Sequence, residues 1–138
     1  MPKVLFLCTG NSVRSQMAEG LMRSLGSSRW EIESAGVIQS CVHPMAIQVM
    51  EEIGIDISTQ ASKSMDQFLN EEFDYTITLC DHAAKFCPTF PGQGIRLHWP
   101  LDDPAAAIGT TEQRLTIFRK IRDQIKRKIV EFLKSEGT

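Results

Sequence analysis

The chain changes backbone period within its first 25 residues, and that change limits its fold more than any other feature. Lys3 to Leu7 is a short apolar run with Val4 and Phe6, suited to a buried strand. From Ser15 to Leu25 the apolar residues Met17, Ala18, Leu21, Met22 and Leu25 fall at helical spacing, and Gly26 supplies a stop. The two periods are joined by Cys8-Thr9-Gly10-Asn11-Ser12-Val13-Arg14-Ser15. A strand ending on a cysteine therefore feeds a helix through a loop rich in residues that tolerate unusual backbone angles.

The alternation of strands and helices continues downstream. Trp30 to Ser34 reads as a second strand ending in Ala35-Gly36. Pro44 suits the first turn of a helix that runs to about Ile53 and stops at Gly54. A shorter helix is expected near Ser64 or Met65. Phe73 to Leu79 is a third strand, rich in β-branched and aromatic residues, and Ile95 to Trp99 a fourth. The last helix is the clearest: Leu115, Phe118, Ile121, Ile125, Ile129 and Phe132 recur at steps of three and four. The expected architecture is one α/β domain over residues 1–138, a four-stranded parallel sheet flanked by helices on both faces. In such folds ligands sit beyond the carboxyl ends of the strands. Cys8, Cys80 and the pair Asp102-Asp103 all follow strands, so all should project toward one edge of the sheet.

Composition narrows the function classes. Apolar residues make up 42% of the chain, enough for a core, and the formal net charge of −2 lacks the basic excess of a nucleic-acid binder. No apolar run reaches the roughly 18 residues of a membrane span, and the opening apolar stretch is too short for a signal peptide. A cytoplasmic protein is expected, with its four cysteines as thiols. Cys8, Cys41, Cys80 and Cys87 form no close C-x2-C pairs, so neither a structural metal site nor a cofactor is expected. Nothing points to an oligomer, and a monomer is the default.

The Cys8 loop carries the chemistry. Backbone N–H groups from Thr9 to Ser15 can turn inward to form a nest for a tetrahedral anion, and the following helix adds its free N–H groups. Arg14 adds a planar fork that matches two oxyanion oxygens. The same positive surroundings favour the Cys8 thiolate, which is the nucleophilic form. Ser15 can hydrogen-bond that sulfur. The pattern G-x4-G-K-[ST] of a nucleotide-binding loop is not present in the sequence. Asp103, ahead of Pro104, can act as general acid to a leaving oxygen, although Asp-Pro also simply forms turns. Asp102 is the less suitable neighbour.

Cys80 and Cys87 lie seven positions apart. On a helix both thiols share one face with Cα atoms about 10 Å apart, whereas a disulfide needs about 7 Å or less. Bonding would require the segment to bend or unwind, and Pro88 followed by Pro91-Gly92-Gln93-Gly94 leaves it free to do so. A hydrolase has no use for such a pair. A reductase does: a second thiol attacks the sulfur of a Cys8–oxyanion adduct and expels the reduced product, and a third carries the disulfide outward by exchange.

These residues resemble the arsenate reductases of the thioredoxin-coupled class, whose fold is that of the low-molecular-weight protein tyrosine phosphatases. The likeness runs through Val4 to Gly20, Ser34-Ala35-Gly36, Gly54 to Ser58, Thr78-Leu79-Cys80, Cys87-Pro88 and His98-Trp99 with Asp102-Asp103-Pro104-Ala105. It implies a phosphatase-like anion loop after the first strand. It also implies that Cys8 attacks arsenate, for which phosphate or sulfate can stand in. Arg14 and the amides of Thr9, Gly10, Asn11, Ser12, Val13 and Ser15 would bind the oxygens, and Asp103 would assist loss of one. Cys80 would then form a Cys8–Cys80 intermediate, and Cys87 a Cys80–Cys87 disulfide that thioredoxin reduces. Many relatives carry a cysteine where Val13 stands. Some bind potassium near residues matching Asn11, Glu19 and Ser34. Here Lys63 is expected to put its ammonium in that place. Cys41 matches no catalytic position and is expected to be structural, as are His43, His82 and His98. A tyrosine phosphatase is the competing reading, but Ala105-Ala106-Ala107 offers no aromatic grip on a phenyl ring.

Overall fold

The computed structural model describes residues 1–136. Four strands, β1 (Lys3–Cys8), β2 (Glu31–Gly36), β3 (Tyr75–Thr78) and β4 (Ile95–His98), form one parallel sheet in the order β2-β1-β3-β4. The central strand β1 is buried from Val4 to Cys8, as expected of a strand covered on both faces. The helices are α1 (Arg14–Gly26), α2 (Pro44–Glu51), α3 (Asp81–Phe86) and α4 (Thr111–Glu136).

Register assigns the faces. Side chains of directly paired residues in a parallel sheet point the same way, so Val4, Phe6, Tyr75 and Ile77 share one face and Leu5, Leu7, Thr76 and Thr78 the other. Phe132 of α4 meets Tyr75 and Trp30, and Trp99 meets Phe6 and Phe132, which puts α4 on the first face. Glu19 of α1 bonds to Ser34 on that same face. His98 pairs with Thr78 on the second face and reaches Asp81 of α3 there. Helices thus flank both faces.

All six apolar positions read as the α4 stripe, from Leu115 to Phe132, are buried. Elsewhere the boundaries move by a few residues. β3 begins at Tyr75 rather than Phe73, because Phe73 leaves the ladder to pack between Phe68 and Phe90. The helix expected near Ser64 is a single 3₁₀ turn over Met65–Phe68, capped where the Ser64 hydroxyl accepts from Asp66 N–H. The segment between Cys80 and Cys87, left open by sequence, is the six-residue helix α3. Gly54 stops the chain after α2 in the left-handed region, at φ +80°. Cys41 is exposed on the loop between β2 and α2. Among the described residues no helix is long and apolar enough to cross a membrane.

Candidate active site

The loop from Cys8 to Arg14 leaves the carboxyl end of β1 and enters α1 at Arg14. It rests against Gly36, the last residue of β2. A Cβ on Gly36 would fall 2.6 Å from the Asn11 nitrogen and 2.7 Å from the Gly10 carbonyl carbon. Only a residue without a side chain allows the loop to lie this close.

Asn11 is fully buried and left-handed, at φ 50°. The hydrogen-bond chemistry fixes its amide orientation. The Lys63 backbone N–H can only donate, so the oxygen 2.7 Å away is Oδ1, which also accepts from Gln16 Nε2. Nδ2 therefore donates to Ser15 Oγ at 2.7 Å and to Ser34 Oγ at 2.9 Å. Ser15 Oγ lies 2.8 Å from Cys8 Sγ. Because that hydroxyl already accepts from Asn11, its one proton is free to donate to sulfur, the polarity a thiolate needs. The Ser34 hydroxyl donates a hydrogen bond to Glu19 Oε1 at 2.5 Å. Glu19 is in turn ion-paired to Arg23 at 3.0 Å and to Lys63 Nζ at 3.6 Å. The lysine ammonium expected beside Glu19 is present.

Arg14 is buried, with Nη1 donating to the Leu101 carbonyl at 3.0 Å and Nη2 3.9 Å from Asp103 Oδ2. Asp103 does two jobs at once. Its Oδ1 accepts from Ala105 N–H and caps the 3₁₀ turn at Pro104–Ala106, while Oδ2 faces Arg14. The turn-forming role falls to Oδ1, and Oδ2 is left on the side of Arg14. Asp102 is exposed.

Cys80 is buried and caps α3, its sulfur accepting from Ala83 N–H at 3.4 Å. The Thr9 hydroxyl stands 3.3 Å from the same sulfur. Thr9, expected only as an amide donor, thus links the anion loop to the second cysteine. Cys87 closes α3 at the other end and is half-buried. Burial pushes its thiol up, opposed in part by the Arg96 guanidinium. All four cysteines are free. Among the described residues no cluster of three or more His, Cys, Asp or Glu is placed to hold a metal.

The histidines take positions no local pattern announces. His43 Nδ1 accepts from Met45 N–H at the start of α2, and its ring packs on Phe118. Burial first, then the Arg114 guanidinium, lowers its pKa, against the pull of Asp103. His82 packs on Phe86. His98 bridges Thr78 and Asp81.

The sequence pattern of the low molecular weight phosphotyrosine protein phosphatase matches residues 3–136. The chain belongs to that family. Among curated proteins it is 48% identical over 129 residues to an arsenate reductase of Halalkalibacterium halodurans, covering 94% of this chain and 93% of the relative. A solved arsenate reductase in a phosphate-binding state superposes with a TM-score of 0.84 at 39% identity, covering 98% of each chain. A thioredoxin-dependent arsenate reductase of Corynebacterium glutamicum superposes at 0.75 with 29% identity, covering 98% of this chain and 61% of the other. The anion loop, the strand order and the cysteine-capped α3 described above are thus features of a chain whose relatives include arsenate reductases.

Proposed function

We propose that the chain reduces arsenate to arsenite through a relay of Cys8, Cys80 and Cys87, reset by thioredoxin in the cytoplasm. One observation carries the reading: Thr9 joins the anion loop to Cys80, which heads a short helix with Cys87 at its far end. The loop amides from Thr9 to Ser15 and the Arg14 fork hold the oxyanion. Cys8 thiolate, oriented by the Ser15 hydroxyl, attacks arsenic, and one oxygen leaves as water with a proton from Asp103. Cys80 thiolate then attacks Cys8 sulfur. The electron pair of the sulfur–arsenic bond passes to arsenic, giving trivalent arsenite and a Cys8–Cys80 disulfide. Cys87 attacks Cys80, Cys8 departs as a thiolate, and α3 yields its helical form to the Cys80–Cys87 bond. A dithiol donor supplies the two electrons that reopen it.

The test follows NADPH oxidation with arsenate, thioredoxin and thioredoxin reductase. Turnover is expected in wild type and lost in Cys8→Ser, Cys80→Ser and Cys87→Ser. Normal turnover in Cys80→Ser or Cys87→Ser would refute the relay. Hydrolysis of an aryl phosphate that needs Cys8 but neither other thiol, without arsenate turnover, would assign the loop to phosphoryl transfer instead.

A further inference from the structure

The edge strand β4 grips the redox helix at both ends. Arg96 and His98 are two residues apart, so they project from the same face of β4. Arg96 donates to the carbonyl of Pro88, the residue after Cys87. His98 Nδ1 is 2.7 Å from Thr78 Oγ1, its partner across the ladder, and Nε2 is 3.0 Å from Asp81 Oδ1. Asp81 is the residue after Cys80 and the first of α3. Its side chain is 93% exposed, so little besides this contact fixes it. A hollow of about 170 Å³ lies between helix and strand, lined by Thr78, Ala84, Cys87, Arg96 and His98.

We propose that His98 is a positioning residue: by holding Asp81 it keeps α3 intact with Cys80 aimed at the anion loop, and it disfavours the Cys80–Cys87 disulfide. The proposal rests on the three-thiol relay above. An intact helix separates Cα atoms seven residues apart by about 10 Å. A disulfide tolerates about 7 Å at most. Forming it shortens or unwinds α3, and in this proposal the end that yields is the first turn, which carries Asp81 off His98. Whatever energy the clasp contributes to the dithiol form is absent from the disulfide. Thr78 fixes the ring, so that Nε2 is the nitrogen presented to Asp81.

The measurement is a glutathione titration of the full chain in a Cys8→Ser, Cys41→Ser background, leaving Cys80 and Cys87 as the exchanging thiols. The dithiol passes two electrons to glutathione disulfide, yielding the protein disulfide and two molecules of glutathione. The oxidised fraction is read by alkylation and mass. Asp81→Ala and His98→Ala should each raise the oxidation equilibrium constant about three-fold, the scale of a part-exposed pair. That equals about 14 mV toward a more reducing pair at roughly 30 mV per tenfold. The double variant should move no further than either single one. His98→Gln, whose amide can still donate to Asp81, should return toward the parent value. Equal constants in parent and single variants would overturn the clasp, as would a lower urea midpoint without a shifted constant. A pair that never oxidises, even in the parent, would overturn the relay and the clasp together.

Discussion

Replacing Asn11 by alanine tests whether one buried amide both holds the anion loop and sets the polarity of the bond to Cys8. The cost can be built from the contacts. The Lys63 N–H loses its 2.7 Å acceptor, and a donor left without a partner costs about 1–3 kcal/mol. The two bonds from Nδ2 to Ser15 and Ser34 contribute about 1 kcal/mol net each. Alanine at φ 50° adds about 1 kcal/mol that asparagine largely avoids. The contributions share atoms and will not sum fully, so a loss of about 4 kcal/mol is expected, a large part of the 5–15 kcal/mol typical of a domain. Urea unfolding followed through the buried Trp30 and Trp99 measures it. Asn11→Asp separates scaffold from chemistry. Aspartate tolerates the same backbone and still accepts from Lys63, but its second oxygen can only accept. The Ser15 proton then turns toward position 11 and away from Cys8. Iodoacetamide should modify Cys8 in Asn11→Asp several-fold more slowly at neutral pH, with a smaller stability loss than in Asn11→Ala. Equal alkylation rates in Asn11→Asp and wild type would refute the direction assigned to the Ser15–Cys8 bond. An Asn11→Ala loss under about 1 kcal/mol would refute the scaffold role.

Two further outcomes are expected. Lys63→Met removes an ammonium 3.6 Å from Glu19, which keeps only Arg23 as a cationic partner nearby; stability should fall by about 1–2 kcal/mol, and calorimetry should find potassium restoring more of it than sodium. The Cys87 thiol is held up by burial, so as pH rises the unfolded chain loses this proton first. The Cys87 contribution to stability is therefore complete below about pH 8.5 and declines above it, and Cys87→Ala should flatten that alkaline decline in urea midpoints measured from pH 7 to 10.

The parts legible in the sequence are those written in local period or local chemistry. The β1–loop–α1 unit and the α4 stripe followed from spacing alone, because one strand and one amphipathic helix each declare the face they bury. Asp103-Pro104 was legible as a turn, and the fold caps that turn with the Asp103 Oδ1. What could not be read depends on distant backbone. Arg14 ends on the Leu101 carbonyl, 87 residues away, and every residue type offers a carbonyl. Thr9 meets Cys80 across 71 residues through the pairing of β1 with β3. Asp81 and His98 meet only because the register sets His98 beside Thr78. Register was the missing information in most of these cases, since a shift of one residue would send His98 to the opposite face.

The close seat of the anion loop on Gly36 bears on how the site chooses its chemistry. On the β2 side the cradle is moulded by main chain pressed against main chain, so no side chain at position 36 can reshape it. Phosphate and arsenate are near twins in shape and charge, so a hollow of this kind does not by itself tell one from the other. In this chain the loop is met from outside by Cys80, beside the Thr9 hydroxyl, and by the Leu101 carbonyl, which accepts from Arg14. In the relay proposed above, the fate of a bound oxyanion is decided by the thiol set beside the mould and not by the mould itself.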